Sequence, residues 1–155
     1  TELLLIMPQV GKVAWIGIRQ TKRGEADVLD SINVSIEIGL EGDHYGKKGG
    51  KRMITLIQSE HISVVESILG NSVDPKLLRR NIVVSGINLL ALKDQTFKIG
   101  EAILKTTGLC HPCSRMETNL GSGGYNAMRG HGGITTTVIE GGTIHLEDKV
   151  KLLKE

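Results

Sequence analysis

Aromatic side chains are almost missing from this sequence of 155 residues: one Trp, one Phe and two Tyr. A platform that stacks successive bases of a single strand needs more of them, which excludes that class of nucleic-acid binder. Charge of one sign is missing too. The 19 basic residues face 17 acidic ones, a net of +2, so no basic stripe for a phosphate backbone is expected and no nucleic-acid partner is assigned. Long apolar runs are absent. Leu3-Leu4-Leu5-Ile6-Met7 stops at Pro8, far short of a signal-peptide core or the ~20 residues of a membrane span. That run is read as an edge strand or a trailing end, and a cytoplasmic protein with no membrane partner is expected. Two cysteines cannot build a disulfide framework. In a reducing compartment a close pair is reactive or metal-binding more often than structural.

Glycine is plentiful, at 20 residues, which implies tight turns and close backbone approaches. The dominant hydrophobic period is two. Val10–Arg19 reads as a strand with Val13, Trp15 and Ile18 inward. Val34, Ile36 and Ile38 alternate with polar residues as a half-buried strand ended by Gly39 and Gly42. Further strands are expected at 53–57, at 81–84, in two pieces around Gly100 over 97–105, at 134–139 and at 150–153. Gly141-Gly142 reads as a hairpin turn into Thr143–Leu146. Helical signals are few. Ser59 is placed to cap a helix stopped by Gly70, Asp74-Pro75 opens a short helix through Leu78, and Tyr125–Met128 forms one turn more. Seven or eight short strands with about two small helices predict a mainly β, barrel-like domain.

The chemistry is concentrated in Thr107-Gly108-Leu109-Cys110-His111-Pro112-Cys113-Ser114-Arg115-Met116. Cys110 and Cys113 have the spacing of a zinc knuckle, but a structural site needs four ligands and no second pair exists, so histidines would have to complete it. The same spacing suits a thioredoxin-type dithiol. That motif opens a helix in a βαβ unit, whereas here it follows a strand late in an all-β pattern, and the segment after Pro112 does not promise a helix. Either cysteine also suits a small core residue. His111, Pro112, Ser114 and Arg115 argue against burial of Cys113, while Cys110 after Gly108-Leu109 is the better core candidate.

Two loops join glycine with positive charge. Gly46-Lys47-Lys48-Gly49-Gly50-Lys51-Arg52 lacks the Ser or Thr and the glycine spacing of a P-loop. It reads as a solvated tip, except that Arg52 abuts a strand and is expected to point inward. In Arg129-Gly130-His131-Gly132-Gly133, His131 reads as a turn residue or an auxiliary ligand. Arg79-Arg80-Asn81 stands where a helix gives way to a strand. Arginine suits phosphate, and asparagine suits the edge of a heterocycle.

In order and spacing these blocks resemble the MOSC domain, the C-terminal module of molybdenum cofactor sulfurases, which also occurs alone. The resemblance rests on Gly39–His44, Ile54–Glu60, Arg79–Gly86, Ile99–Ala102, Cys110–Cys113 and Gly132-Gly133 to Gly141-Gly142. It implies a single MOSC domain over 1–155 with its core at about 12–151, folded as an irregular MOSC-type β-barrel with a few short helices. Cys113 matches the family's reactive cysteine. The resemblance makes it the catalytic residue and the molybdenum ligand, through bound molybdenum cofactor (molybdopterin). Arg79 and Asn81 match positions that hold the pterin and its phosphate. Arg115 and Arg52 are added as cofactor-binding residues, and Cys110 and His131 as auxiliary ones.

Three functions follow as expectations. The first is a cofactor-binding protein acting in molybdenum-dependent reduction or in handling the cofactor and its sulfur. The second is a sulfur carrier with a persulfide on Cys113. The third is a non-enzymatic cofactor-binding module. Thiolate is the matching ligand for a soft molybdenum–dithiolene centre, and a persulfide carrier needs an accessible thiolate near positive charge. Expected partners are a cysteine desulfurase, which would bring pyridoxal phosphate as its own cofactor, or an electron-transfer protein. The cofactor is expected to be more exposed than in relatives with an additional N-terminal barrel segment, or to be covered by a partner or second subunit.

Overall fold

The computed structural model describes residues 2–154; the ends of the expected 1–155 span, residues 1 and 155, lie outside it. Eleven strands are present among the described residues: β1 (Gly11–Ile18), β2 (Asp27–Leu29), β3 (Ser31–Ser35), β4 (Gly39–Leu40), β5 (Ile54–Gln58), β6 (Ile82–Ser85), β7 (Thr96–Ile99), β8 (Ala102–Leu109), β9 (Ile134–Glu140), β10 (Gly142–His145) and β11 (Lys149–Leu152). The α-helices are α1 (Ser59–Leu69), α2 (Ser114–Leu120) and α3 (Gly124–Met128), and 3₁₀ turns cover Glu2–Leu5, Pro75–Leu78 and Leu89–Leu92.

Seven strands close into a barrel in the order β11-β7-β8-β9-β5-β6-β1, with β1 returning to pair with β11 through Gly11 and Lys12. Closure leaves these strands without a free edge. β2 continues along the far half of β1, and β10-β3-β4 forms a separate small sheet. β5 and β6 run parallel, the one parallel pair among the described strands, and α1 makes the crossover between them as such a pair requires. The apolar run of β5 has no solvent face: all five residues are buried, as expected of a strand covered on both sides.

Two apolar clusters explain that burial. Inside the barrel, Val13, Ile16, Leu56, Ile82, Val84, Phe97, Ile99, Leu104, Ile134 and Val150 pack together. Outside it, Ile57 of β5 and Val83 of β6 face Ile62 and Val65 of α1, Met116 of α2, and Ala127 and Met128 of α3. Each such side chain contributes roughly 1.5–3 kcal/mol by leaving water. The helices are thus held by the outward residues of two barrel strands. Glu117 of α2 accepts the backbone N–H groups of Gly123 and Tyr125 at 2.9 and 3.0 Å. Those bonds hold its carboxyl below the ordinary value and fix the α2–α3 turn.

Several local expectations are corrected. Residues 2–5 form a 3₁₀ turn, not an edge strand. A bulge between Val13 and Trp15 breaks the alternation of β1, so Ile16 enters the barrel while Trp15 packs on the outer cluster. β3 ends at Ser35, and Ile36 and Ile38 stand 43% and 46% exposed in a turn; their apolar spacing mimics a strand. Gln58, not Ser59, is the N-cap of α1, and no side chain caps it. A helix does follow Pro112, starting at Ser114. Gly141-Gly142 makes no hairpin, because β10 leaves the barrel to pair with β3. Asp74 and Pro75 do open the next turn, with Asp74 accepting Lys76 N–H at 3.0 Å.

Candidate functional site

A cavity of about 410 Å³ opens where four connections converge: the exit of β1, the loop after β4 leading into β5, the entry to β6, and the link from β8 to α2. Arg19, Asp43, Tyr45, Arg52, Thr55, Arg79, Arg80, Asn81, His111, Cys113 and Arg115 line it. Five guanidinium groups therefore face one carboxylate. Ion pairs among the described residues join Lys12 to Glu147, Lys48 to Glu37 and His145 to Asp148; none involves an arginine. A cavity so charged favours anions, and arginine matches phosphate or carboxylate oxygens in pairs.

Each arginine is oriented differently. Arg80 is 5% exposed. Its Nε donates to Gly132 O at 2.7 Å and its Nη1 to Leu78 O at 2.9 Å, with Nη2 near the carbonyls of Cys110 and His111 at 3.4 and 3.5 Å. Burial, offset in part by the two cysteine sulfurs, pushes its guanidinium below the ordinary value. Arg80 thus braces the cysteine segment from beneath. Arg19 donates to Gly24 O at 3.0 Å and Lys76 O at 2.6 Å. Burial and then the charge of Arg79 lower it. Arg79 has φ 59°, a left-handed conformation costly for a residue with a Cβ. That twist ends the preceding 3₁₀ turn, and Arg79 Nη2 meets Tyr45 Oη at 2.9 Å. Arg52 Nη2 lies 3.6 Å from Cys110 Sγ.

Of the sequence-predicted site residues, the structure brings Cys113, Arg79, Asn81, Arg115 and Arg52 into this one lining. Cys113 is exposed and Cys110 is buried, and neither is in a disulfide. Cys113 stands at the N-cap position of α2, its side chain free of any capping bond. Cys110 and His131 lie outside the lining. His131 packs its ring edge-on against His61, centroids 5.5 Å apart, with Nδ1 3.1 Å from Ala127 O. Burial, then His131, lowers His61 below its ordinary value. Among the described residues no group of three His, Cys, Asp or Glu side chains could hold a metal ion.

Asn81 lines the cavity with its polar atoms already committed. Its Oδ1 accepts Thr55 N–H at 3.0 Å and Thr55 Oγ1–H at 3.1 Å, and its Nδ2 donates to Gly17 O at 3.2 Å. It rivets β5 to the end of β1. Sequence reasoning left Arg19, Asp43, Tyr45, Thr55, Arg80 and His111 out of the site. Asp43 was within reach, being a carboxylate in a glycine-flanked segment just before the basic loop. Arg19 carried no motif, because only the barrel's curvature brings the exit of β1 to this place.

The glycines of the 129–133 loop fit the same geometry. A Cβ on Gly132 would collide with Cys110 O, and one on Gly133 with Leu56 O. Gly133 also has φ 87° and accepts Cys110 N–H at 2.8 Å. The loop can therefore press against the cysteine segment only without side chains.

Residues 41–151 match the MOSC domain. The chain belongs to the MOSC domain family. Solved structures of similar fold include YuaD from Bacillus subtilis, with TM-score 0.79 and 23% identity over 92% of this chain and 95% of that one. YiiM from Geobacillus stearothermophilus has TM-score 0.76 and 16% identity over 93% and 75%. YiiM from Escherichia coli has TM-score 0.70 and 19% identity over 93% and 70%. No curated protein matches the chain in sequence. The mainly β barrel expected from the MOSC resemblance is the fold observed. No helix among the described residues is long and apolar enough to cross a membrane.

Proposed function

We propose that this MOSC protein binds molybdenum cofactor in the arginine-lined cavity and uses it in reduction or in handling the cofactor and its sulfur. The observation that carries the reading is one exposed thiol, Cys113, in a lining with five arginines and a single carboxylate, with no arginine–carboxylate ion pair among the described residues. These residues fit the group. A thiolate suits molybdenum already held by dithiolene sulfur, and the guanidiniums suit a phosphate.

In this reading Cys113 Sγ gives up its proton to bind the metal. Arg79 and Arg115 hold the phosphorylated end, with Arg52 at the basic rim. Arg80 and Asn81 keep the walls in place through the backbone bonds described above. The cofactor supplies the redox chemistry when bound, and the protein orients it. Electrons would come from an electron-transfer protein.

The exposure of Cys113 beside buried Cys110 supports a second reading, sulfur carriage. A desulfurase persulfide would be attacked at its outer sulfur by the Cys113 thiolate, and the desulfurase thiolate would leave. Pyridoxal phosphate would then belong to that partner.

Native and denaturing mass spectrometry of protein purified from cells that make molybdenum cofactor separates the two. A molybdopterin-sized adduct lost on denaturation supports cofactor binding. A bare chain with one added sulfur on Cys113 rejects it and supports carriage.

A further inference from the structure

The small net charge of the chain conceals a separation of charge. The four connections that converge on the cavity span 19–26, 41–53, 70–81 and 110–115, the last including the start of α2. They hold 11 of the 19 basic residues against 4 of the 17 acidic ones, a local net of +7. The other 8 basic and 13 acidic residues leave the rest of the chain at −5. Three of the four acids at this end are turned to local donors: Asp43 accepts Arg19 N–H, Glu41 the Asn33 amide and Asp74 Lys76 N–H. Lys22, Arg23, Lys47, Lys48, Lys51 and Lys76 are exposed and stand outside the cavity lining, so a ligand inside the cavity leaves them free. Of these six, Lys48 alone forms an ion pair among the described residues, with Glu37. Exposed apolar surface lies beside them, from Tyr45, Leu77 and Leu109.

Cys113 opens at this same end of the barrel, and the reductive reading above needs a protein to bring electrons there. Apolar and aromatic side chains within a charged, solvated rim are the anatomy of a protein interface. Cations also grip nucleic acid, but Tyr45 is the one aromatic residue in the four connections, which leaves bases nothing to stack on. We propose that this end of the barrel is the docking surface for an electron-transfer protein that presents an acidic face around its own redox group. The positive end would steer that face toward the cavity, while the negative remainder turns it away from the other sides. The inference rests on the reductive reading and adds the surface used and the charge of the donor.

The test titrates the purified chain with two probe proteins in about 20 mM salt: flavodoxin, acidic around its flavin, and cytochrome c, basic around its haem. Calorimetry is expected to show flavodoxin binding that weakens about tenfold or more by 200 mM salt, and no binding of cytochrome c. K22E/K47E/K51E should lose about tenfold or more in affinity for flavodoxin. K98E/K105E/K151E makes the same change in net charge on strands β7, β8 and β11 and should stay within about threefold of wild type. Thermal melting checks that both variants fold. Flavodoxin bound no better than cytochrome c overturns the proposal, as does an equal loss in the two variants. A short single-stranded DNA bound more tightly than flavodoxin at the same salt also overturns it, in favour of nucleic acid. Native mass spectrometry keeps the two failures apart. Neither set of lysines lines the cavity, so both variants should retain a cofactor adduct as wild type does. An adduct present without flavodoxin binding sinks the docking surface alone, and flavodoxin binding without any adduct in wild type sinks the cofactor reading. An adduct lost selectively from K22E/K47E/K51E assigns those lysines to the cofactor and overturns the proposal.

Discussion

Arg52 directs a guanidinium nitrogen at Cys110 Sγ, 3.6 Å away, while Cys113, three residues on, faces solvent. The two thiols share a segment but not an environment. One is enclosed at 2% exposure under an arginine, and the other is open in the cavity lining.

Their reactivity should divide accordingly. Iodoacetamide is expected to alkylate Cys113 at least about a hundredfold faster than Cys110 in native protein, with the difference vanishing in denaturant. Peptide mass spectrometry over time gives both rates. Cys113→Ser should abolish cofactor retention or persulfide formation, and Cys110→Ser should only weaken it. Equal effects would point instead to zinc or dithiol chemistry.

Arg80 should matter more to the fold than to ligand affinity. Arg80→Met removes two good hydrogen bonds and two longer ones to backbone carbonyls. It is expected to lower the unfolding free energy by about 2–4 kcal/mol. Urea titration at neutral pH measures it. A loss under about 0.5 kcal/mol would mean that the cysteine segment needs no brace.

Asn81 makes a similar claim through different atoms. Asn81→Ala leaves Thr55 N–H and Gly17 O without their partner and is expected to cost about 1–3 kcal/mol. Arg79→Met, by contrast, should leave the urea midpoint near wild type and reduce retention of the cofactor adduct in native mass spectrometry. The reverse ordering would return Asn81 to the ligand and Arg79 to the scaffold.

Asp43 predicts a pH dependence. Burial raises its carboxyl above the ordinary 3.8, against the opposing backbone N–H groups of Arg19 and Tyr45 and the charges of Arg19 and His44; Arg79 shares the cavity lining with it. Between 3.8 and the raised value the folded protein holds more proton than the unfolded chain. Stability from this group therefore falls as pH rises through that window and stays lower above it. D43N should melt above wild type at pH 7 and close to it near pH 3.5. A D43N protein that melts below wild type at pH 7 would show Asp43 to be structural. A carboxylate that weakens the fold while lining a cavity is what a binding residue looks like when stability and function compete.

Much of the barrel was legible in the sequence because a half-buried strand repeats every two residues. β7, β8, β9 and β11 lie where strands were read, and β6 lies where a short apolar run, buried on both faces, put it. The failures have local causes. The bulge at Trp15 shifts the register by one, which alternation cannot foresee. Ile36 and Ile38 keep strand spacing in a turn. The helix after Pro112 is short and polar on its outer side, and its buried residue is Met116 alone, too little for a helical period. The cavity was half legible. Cys113, Arg52, Arg79, Asn81 and Arg115 sit in recognisable segments, and so does Asp43, whereas Arg19 reaches the cavity only through the closure of the barrel. Nor could spacing show that Asn81 spends its amide on the backbone.

The glycine pair at 132–133 sets a limit on how this protein can change. Both positions are filled by neighbouring carbonyls, Cys110 O and Leu56 O, and Gly132 O is also the acceptor for Arg80. Even alanine at Gly132 must push the thiol-bearing segment away, and alanine at Gly133 must push the loop off the backbone of β5. Variation among working sequences should therefore be steeply suppressed at these two positions and tolerated nearby at exposed Gly130, where an added Cβ meets nothing and only the positive φ of 82° constrains the choice. A library randomised across 129–133 would trace the outline of the site through survival alone, without any ligand in hand.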